Sequence, residues 1–170
     1  MSVVAPNESA DDQVIQSYLS FKLDEELFAV DVIKVIEILE VPKITRIPRA
    51  PNYMAGIINL RGKVLPLVDT RVKFGLEPIE YAIDTCIVVI EIEVEGELLQ
   101  IGTLVDAVLE VLEINQSKIM PSPTIEAKYR LDFIEGMFQR EDDFIMLLNL
   151  SEVFSIEDVQ FMQETDKIAQ

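Results

Sequence analysis

The sequence predicts a mainly β fold, a barrel or sandwich of short strands. Three features predict it: strand-length apolar runs, polar turns between them, and an internal repeat. Residues Met1–Gln13 are polar and acidic and read as a flexible tail. From Val14 the runs come in order. Tyr18–Leu23 alternates, Asp24-Glu25-Glu26 turns the chain, and Leu27–Val30 returns. Ile57–Leu60 and Val64–Asp69 flank Arg61-Gly62-Lys63, a hairpin with glycine at its turn. Thr85–Glu93 and Leu98–Val105 flank Glu95-Gly96-Glu97, and Gly136–Gln139 and Phe144–Asn149 flank Arg140–Asp143. Helical spacing is expected at Val32, Val35 and Ile36, and again over Ile156–Ile168, so residues 156–170 form a C-terminal helix or tail.

The repeat organises these elements. Val35-Ile-Glu-Ile-Leu-Glu-Val41 aligns with Val108-Leu-Glu-Val-Leu-Glu-Ile114 at a shift of 73, which also puts Pro48 on Pro121. Further on the shift is 80: Tyr53–Ile58 aligns with Phe133–Phe138, and Val64–Asp69 with Phe144–Asn149. Residues 14–155 thus form one domain of two β modules, roughly 14–82 and 83–155. A module that small buries little core alone, so the two are expected to pack on each other. Their hairpin tips diverge: Asn59-Leu-Arg-Gly-Lys63 is basic, Gln139-Arg-Glu-Asp-Asp143 acidic, which suggests two different partners.

Charge and composition narrow the chemistry. A net charge of −17 repels nucleic acid and anionic membranes, so neither is an expected partner. Lys43–Lys73 runs against this total with seven basic residues and one acid, a candidate docking surface for an acidic protein. Apolar runs such as Thr85–Val94 are too short and too charged to span a bilayer, and the N-terminus shows no targeting pattern. The single cysteine, Cys86, fits a buried thiol in a reducing compartment, and a cytoplasmic location is expected. With no histidine, the usual general base, the Ser-His and Cys-His pairs and most zinc sites are excluded. A duplicated β protein with paired carboxylates would suit an aspartic protease, but Asp69-Thr70-Arg71 lacks the following glycine. The repeat also sets Asn149 opposite Asp69, so the second carboxylate is missing. No catalytic residue, cofactor, metal or small-molecule substrate is expected.

The most specific local pattern is Asn59-Leu-Arg-Gly-Lys-Val-Leu-Pro-Leu-Val-Asp69: a strand, a tight turn presenting Arg61 and Lys63, and a buried strand ending in a carboxylate. It resembles the N-L-R-G-x-[VI]-x-P-[LIV]-[VI]-D-L-R signature of the CheW family. Phe28–Ile38, Thr45–Pro48, Pro51–Ile57 and Gly102–Leu112 are similar to family segments in register, and the likeness runs from about Tyr18 to Phe154. Thr70 departs from it where leucine is usual, and Thr103 and Leu104 interrupt an aliphatic run.

The resemblance implies two SH3-like five-stranded β-barrel subdomains forming one unit, with short helices and a C-terminal helix. It implies a non-catalytic adaptor between the cytoplasmic tip of chemoreceptors and the regulatory domain of the histidine kinase CheA, recruited to membrane-associated receptor arrays. Another chemosensory pathway, for instance one controlling pili, is the alternative. The family's receptor-facing positions fall on Val35, Glu37, Ile38, Gly56 and Arg61, and its kinase-facing positions on Val108 and Val111. Val35 and Ile38, three apart, are expected to share an apolar face with Glu37 at its edge; an ordinary core role is the competing reading for them, evenly so for Val35, and it is the favoured one for Val108 and Val111.

Overall fold

The computed structural model describes residues 14–121 and 133–168; the expected tail Met1–Gln13 lies outside them. Ten strands follow in order: β1 (Ile15–Leu23), β2 (Glu26–Asp31), β3 (Val35–Glu40), β4 (Met54–Leu60), β5 (Lys63–Asp69), β6 (Cys86–Val94), β7 (Glu97–Val105), β8 (Ala107–Asn115), β9 (Ile134–Arg140) and β10 (Asp143–Leu148). Among the described residues there are three α-helices, α1 (Thr70–Lys73) after β5, and α2 (Leu150–Val153) and α3 (Ile156–Ile168) after β10. The strands make two five-stranded sheets, in the orders β8-β1-β2-β10-β9 and β3-β6-β7-β5-β4.

These sheets do not follow the division of the sequence into halves. Each takes two strands from one repeat and three from the other, and exchanging every strand for its repeat partner converts one order into the other. The exchange happens at two short crossings. At the first, Asp31 accepts a hydrogen bond from Ile33 N and starts a 3₁₀ turn, Val32–Lys34, that carries the chain from β2 to β3 in the other sheet. At the second, the bend at Asp106 carries it from β7 to β8. The helix expected from Val32, Val35 and Ile36 is therefore only this single turn. Val35 and Ile36 belong to a strand, because three apolar residues at that spacing suit a turn entering a bulged strand equally well.

Matching details confirm the pseudo-symmetry. Asp69 caps α1 by accepting from Val72 N, and its repeat partner Asn149 caps α2 by accepting from Ser151 N. Backbone pairs Thr45–Ile57 and Met120–Met137 fasten the chain beyond β3 and β8 to strands β4 and β9, at the far sheet edges. The hairpin turn Arg61-Gly62 has φ values of 52° and 84°, the left-handed pair a two-residue type I′ connection requires.

Burial explains the sequence pattern. Within β6, Ile87 and Val89 pack inside the second barrel with Leu65, Leu67 and Leu104, while Val88, Ile90 and Ile92 face a larger core. A strand covered on both faces reads as an unbroken apolar run, as Cys86–Ile90 does. The large core joins the barrels, with Leu19, Phe21, Phe28 and Val30 of one sheet meeting Val68, Val88 and Ile90 of the other. Phe28, Phe74 and Phe133 form an aromatic chain through it, with centroids 5.4 and 4.6 Å apart. Helix α3 occupies the span its spacing predicts and buries Val159 and Met162 in the same core.

One position in this core is poorly matched. Thr70 is buried, lines the inter-barrel cavity beside Phe21, Val68 and Phe154, and its Oγ1 finds no hydrogen-bond partner among the described residues. Its repeat partner is Leu150. An unpaired buried hydroxyl is destabilising, so Thr70→Val should raise unfolding free energy by about 1 kcal/mol. Urea denaturation checks this, and a drop in stability would show that the hydroxyl is satisfied.

Candidate interaction surface

The repeat places the expected receptor-facing and kinase-facing residues at equivalent points. Val35, Glu37 and Ile38 on β3 correspond to Val108, Glu110 and Val111 on β8. Both strands lie at sheet edges, and both carry a register shift there. In a regular strand, residues three apart point to opposite faces. The shift between Val35 and Glu37 inserts one residue, so Val35 pairs with Ile90 and Ile38 with Val88, both facing the large core. Val108 and Val111 likewise pair with Phe21 and Leu19, two further members of that core. The shared apolar face is thus present, but a bulge makes it where a helix was expected.

Along each face burial falls off. Val35 and Val108 pack against the large core, whereas Ile38 and Val111 are 47% and 53% exposed. The inserted residues are open too, Ile36 at 45% and Leu109 at 47%, and Ile33 in the 3₁₀ turn reaches 78%. Each barrel therefore shows a half-exposed apolar strip, Ile36/Ile38 on one and Leu109/Val111 on the other. The sequence reading did not select Ile33, Ile36 and Leu109; the shift of 73, which pairs Ile36 with Leu109, was the signal available.

Both strips are flanked by an ion pair. Arg61, at the β4–β5 tip, donates through both Nη atoms to the Glu37 carboxylate, the two residues held face to face. Arg140, at the end of β9, pairs with Glu110 at 2.6 Å. Arg61 is therefore not a free cation. It remains 70% exposed against 25% for Glu37, so its remaining donors are open to a partner. Asn59 Oδ1 fixes the turn by accepting from Gly62 N at 2.8 Å. Gly56 is buried, with φ of 142°, and a Cβ built there would lie 2.3 Å from the Thr45 carbonyl oxygen. Its freedom serves the closing pair Thr45–Ile57.

Two members of the basic window are structural. Arg71 is buried: Nη1 donates to Asp106 Oδ2 at 2.7 Å, Nε donates to the Glu77 carbonyl at 2.8 Å, and Nη2 lies 3.5 Å from Asp24. Since Asp106 also accepts from Asp24 N, this guanidinium ties the β1–β2 turn to the second crossing. Lys73 donates to Asp158 Oδ2 at 2.5 Å and sits 4.4 Å above the Tyr53 ring centroid. Burial pushes the Asp69 carboxyl up despite the backbone hydrogen bonds from Val72 and Arg71. That carboxylate is a helix cap. Among the described residues no cluster of three or more Cys, Asp or Glu could hold a metal ion, and no helix is long and apolar enough to cross a membrane.

Paired β-barrels that present apolar edge strands and hairpin tips define a β-barrel interaction module. The CheW-like domain model matches residues 17–158. The chain belongs to the CheW family of chemotaxis scaffold proteins. It is 28% identical to the chemotaxis protein CheW of Klebsiella aerogenes over 158 residues, covering 93% of each chain. With the chemotaxis protein CheW of Rhizobium meliloti the identity is 33% over 140 residues, 82% of this chain and 88% of that one. The crystal structure of the scaffolding protein TtCheW from Thermoanaerobacter tengcongensis superimposes with a TM-score of 0.74 at 32% identity, covering 85% of this chain and 91% of that one. The two-barrel SH3-like fold expected from the resemblance is the fold observed.

Proposed function

We propose that the protein couples the cytoplasmic tip of chemoreceptors to the regulatory domain of the kinase CheA, as a cytoplasmic adaptor recruited to receptor arrays and without catalysis of its own. The observation that carries this reading is the pair of equivalent apolar strips, one per barrel, beside hairpin tips of opposite charge. Coupling requires two sites occupied together, and a duplicated surface with divergent rims supplies them. Ile38 and Arg61 hold the receptor, with Val35 anchoring β3, Gly56 admitting the Thr45 segment beside β4, and Glu37 orienting the Arg61 fork. Val111 meets the kinase, and Val108, partly buried against the large core, anchors β8. Modest affinities suffice where an array raises effective concentration.

Co-sedimentation with receptor-tip fragments and a CheA regulatory domain tests this. Receptor should carry the kinase domain down only when the protein is present. Arg61→Glu faces Glu37 with a second carboxylate at an exposed turn and should weaken receptor binding by about tenfold or more with the fold intact. Val111→Asp should do the same for the kinase domain alone, and unchanged binding in both variants would sink the assignment.

A further inference from the structure

The basic window leaves a residue of charge that the fold does not use. Of its seven cations, Arg61 is held by Glu37, Arg71 is buried and Lys73 is bound to Asp158, while Lys63 stands exposed at the β4–β5 tip with only the neutral Gln100 side chain, 3.4 Å away. Lys43, Arg46 and Arg49 remain, all exposed and without an ion-pair partner among the described residues. All three lie on the segment between β3 and β4, in a chain whose net charge is −17. This segment walls two adjoining open grooves of about 340 and 590 Å³ that share Arg46, Asn52, Met54 and Ala55. Arg49 lines the smaller, and Ile79 and Tyr81, each 48% exposed, line the larger. Glu80 and Asp69 also line the larger groove, so the electropositive part of the pair is the smaller groove, which Arg46 and Arg49 line without an acid. Neither strip assigned above to the receptor or the kinase includes any of these residues.

We propose that this groove binds an extended acidic segment of a protein partner, its carboxylates on Arg46 and Arg49 and its apolar side chains against Ile79 and Tyr81. Guanidinium groups suit carboxylates through paired donors, and the apolar wall favours a peptide over a nucleic-acid backbone. The reading is independent of receptor–kinase coupling. It is tested by titrating isotopically labelled protein with a synthetic octapeptide of alternating leucine and glutamate and following amide shifts. Shifts confined to residues 46–55 and 79–81 are expected. They should weaken by about tenfold in R46E/R49E, the size two exposed charge pairs can supply. The leucine–lysine octapeptide should produce none. Shifts elsewhere, equal binding of the lysine peptide or of an oligothymidylate, or indifference to the double reversal would overturn the proposal. The same titration of Arg61→Glu should match wild type, which separates this groove from the coupling surface.

Discussion

Gly56→Ala should cost about 4 kcal/mol of unfolding free energy, a large share of the roughly 5–15 kcal/mol that stabilises a small domain. Two effects add. An L-residue is strained at φ of 142°, and the new Cβ would stand 2.3 Å from a backbone oxygen, which cannot rotate away as a side chain could. The molecule contains its own control. At Gly136, the repeat partner, φ is not in the left-handed range, and the nearest atom is the Ile119 side-chain Cγ2 at 2.6 Å, with the Met120 carbonyl oxygen at 3.0 Å. Gly136→Ala should therefore be milder, about 1–2 kcal/mol. Urea unfolding of both variants measures the contrast. Receptor binding by Gly56→Ala should fall only in proportion to the unfolded fraction. A fully stable variant that fails to bind would instead make Gly56 a direct contact.

The difference between Gly56 and Gly136, repeat partners in unlike backbone conformations, is one reason the site was only partly legible in the sequence. Hairpins were readable because turn chemistry is local: Arg61-Gly62 and Glu95-Gly96 adopt the positive φ pairs their residues suggest. Strand exchange was not, since a repeat looks the same whichever copy its strands pair with, and alternation encodes a face without naming a sheet. The bulges in β3 and β8 had the same invisibility. An inserted residue leaves the apolar count unchanged while moving Ile38 and Val111 onto the faces of Val35 and Val108. Charge was the least legible of all. Arg61, Arg71 and Lys73 look alike along the chain, yet one ties a hairpin turn to the middle of β3, one is buried at a crossing, and one anchors a helix. Their partners Glu37, Asp106 and Asp158 lie 24, 35 and 85 residues away, beyond any local pattern.

Asp158→Ala should be comparably severe, about 3–4 kcal/mol, because one carboxylate closes a network across three elements. Tyr53 donates its hydroxyl hydrogen to Oδ1, while Lys73 and Ser155 N donate to Oδ2 at 2.5 and 2.9 Å. Ser155 Oγ accepts in return from Asp158 N at 3.1 Å, a reciprocal cap at the start of α3. Truncation strands the Lys73 ammonium, whose side chain is only 19% exposed. Burial alone would push the Asp158 carboxyl up, but the hydrogen bonds from Lys73, Tyr53 and Ser155 outweigh it and hold the group below the ordinary carboxylate range. The unfolded chain then takes up this proton first as the pH falls. The network's contribution is complete at neutral pH and disappears below about pH 4, as the pH passes through the depressed folded value. Asp69 and Glu135, both pushed up chiefly by burial, act in the opposite sense. They are common to wild type and Asp158→Asn, so the difference between those two proteins isolates the network. That difference should be largest near pH 7 and shrink toward pH 3 in urea titrations. A gap that stays constant with pH would mean that the carboxylate contributes through packing and capping, and that its charge does not hold α3 to the barrels.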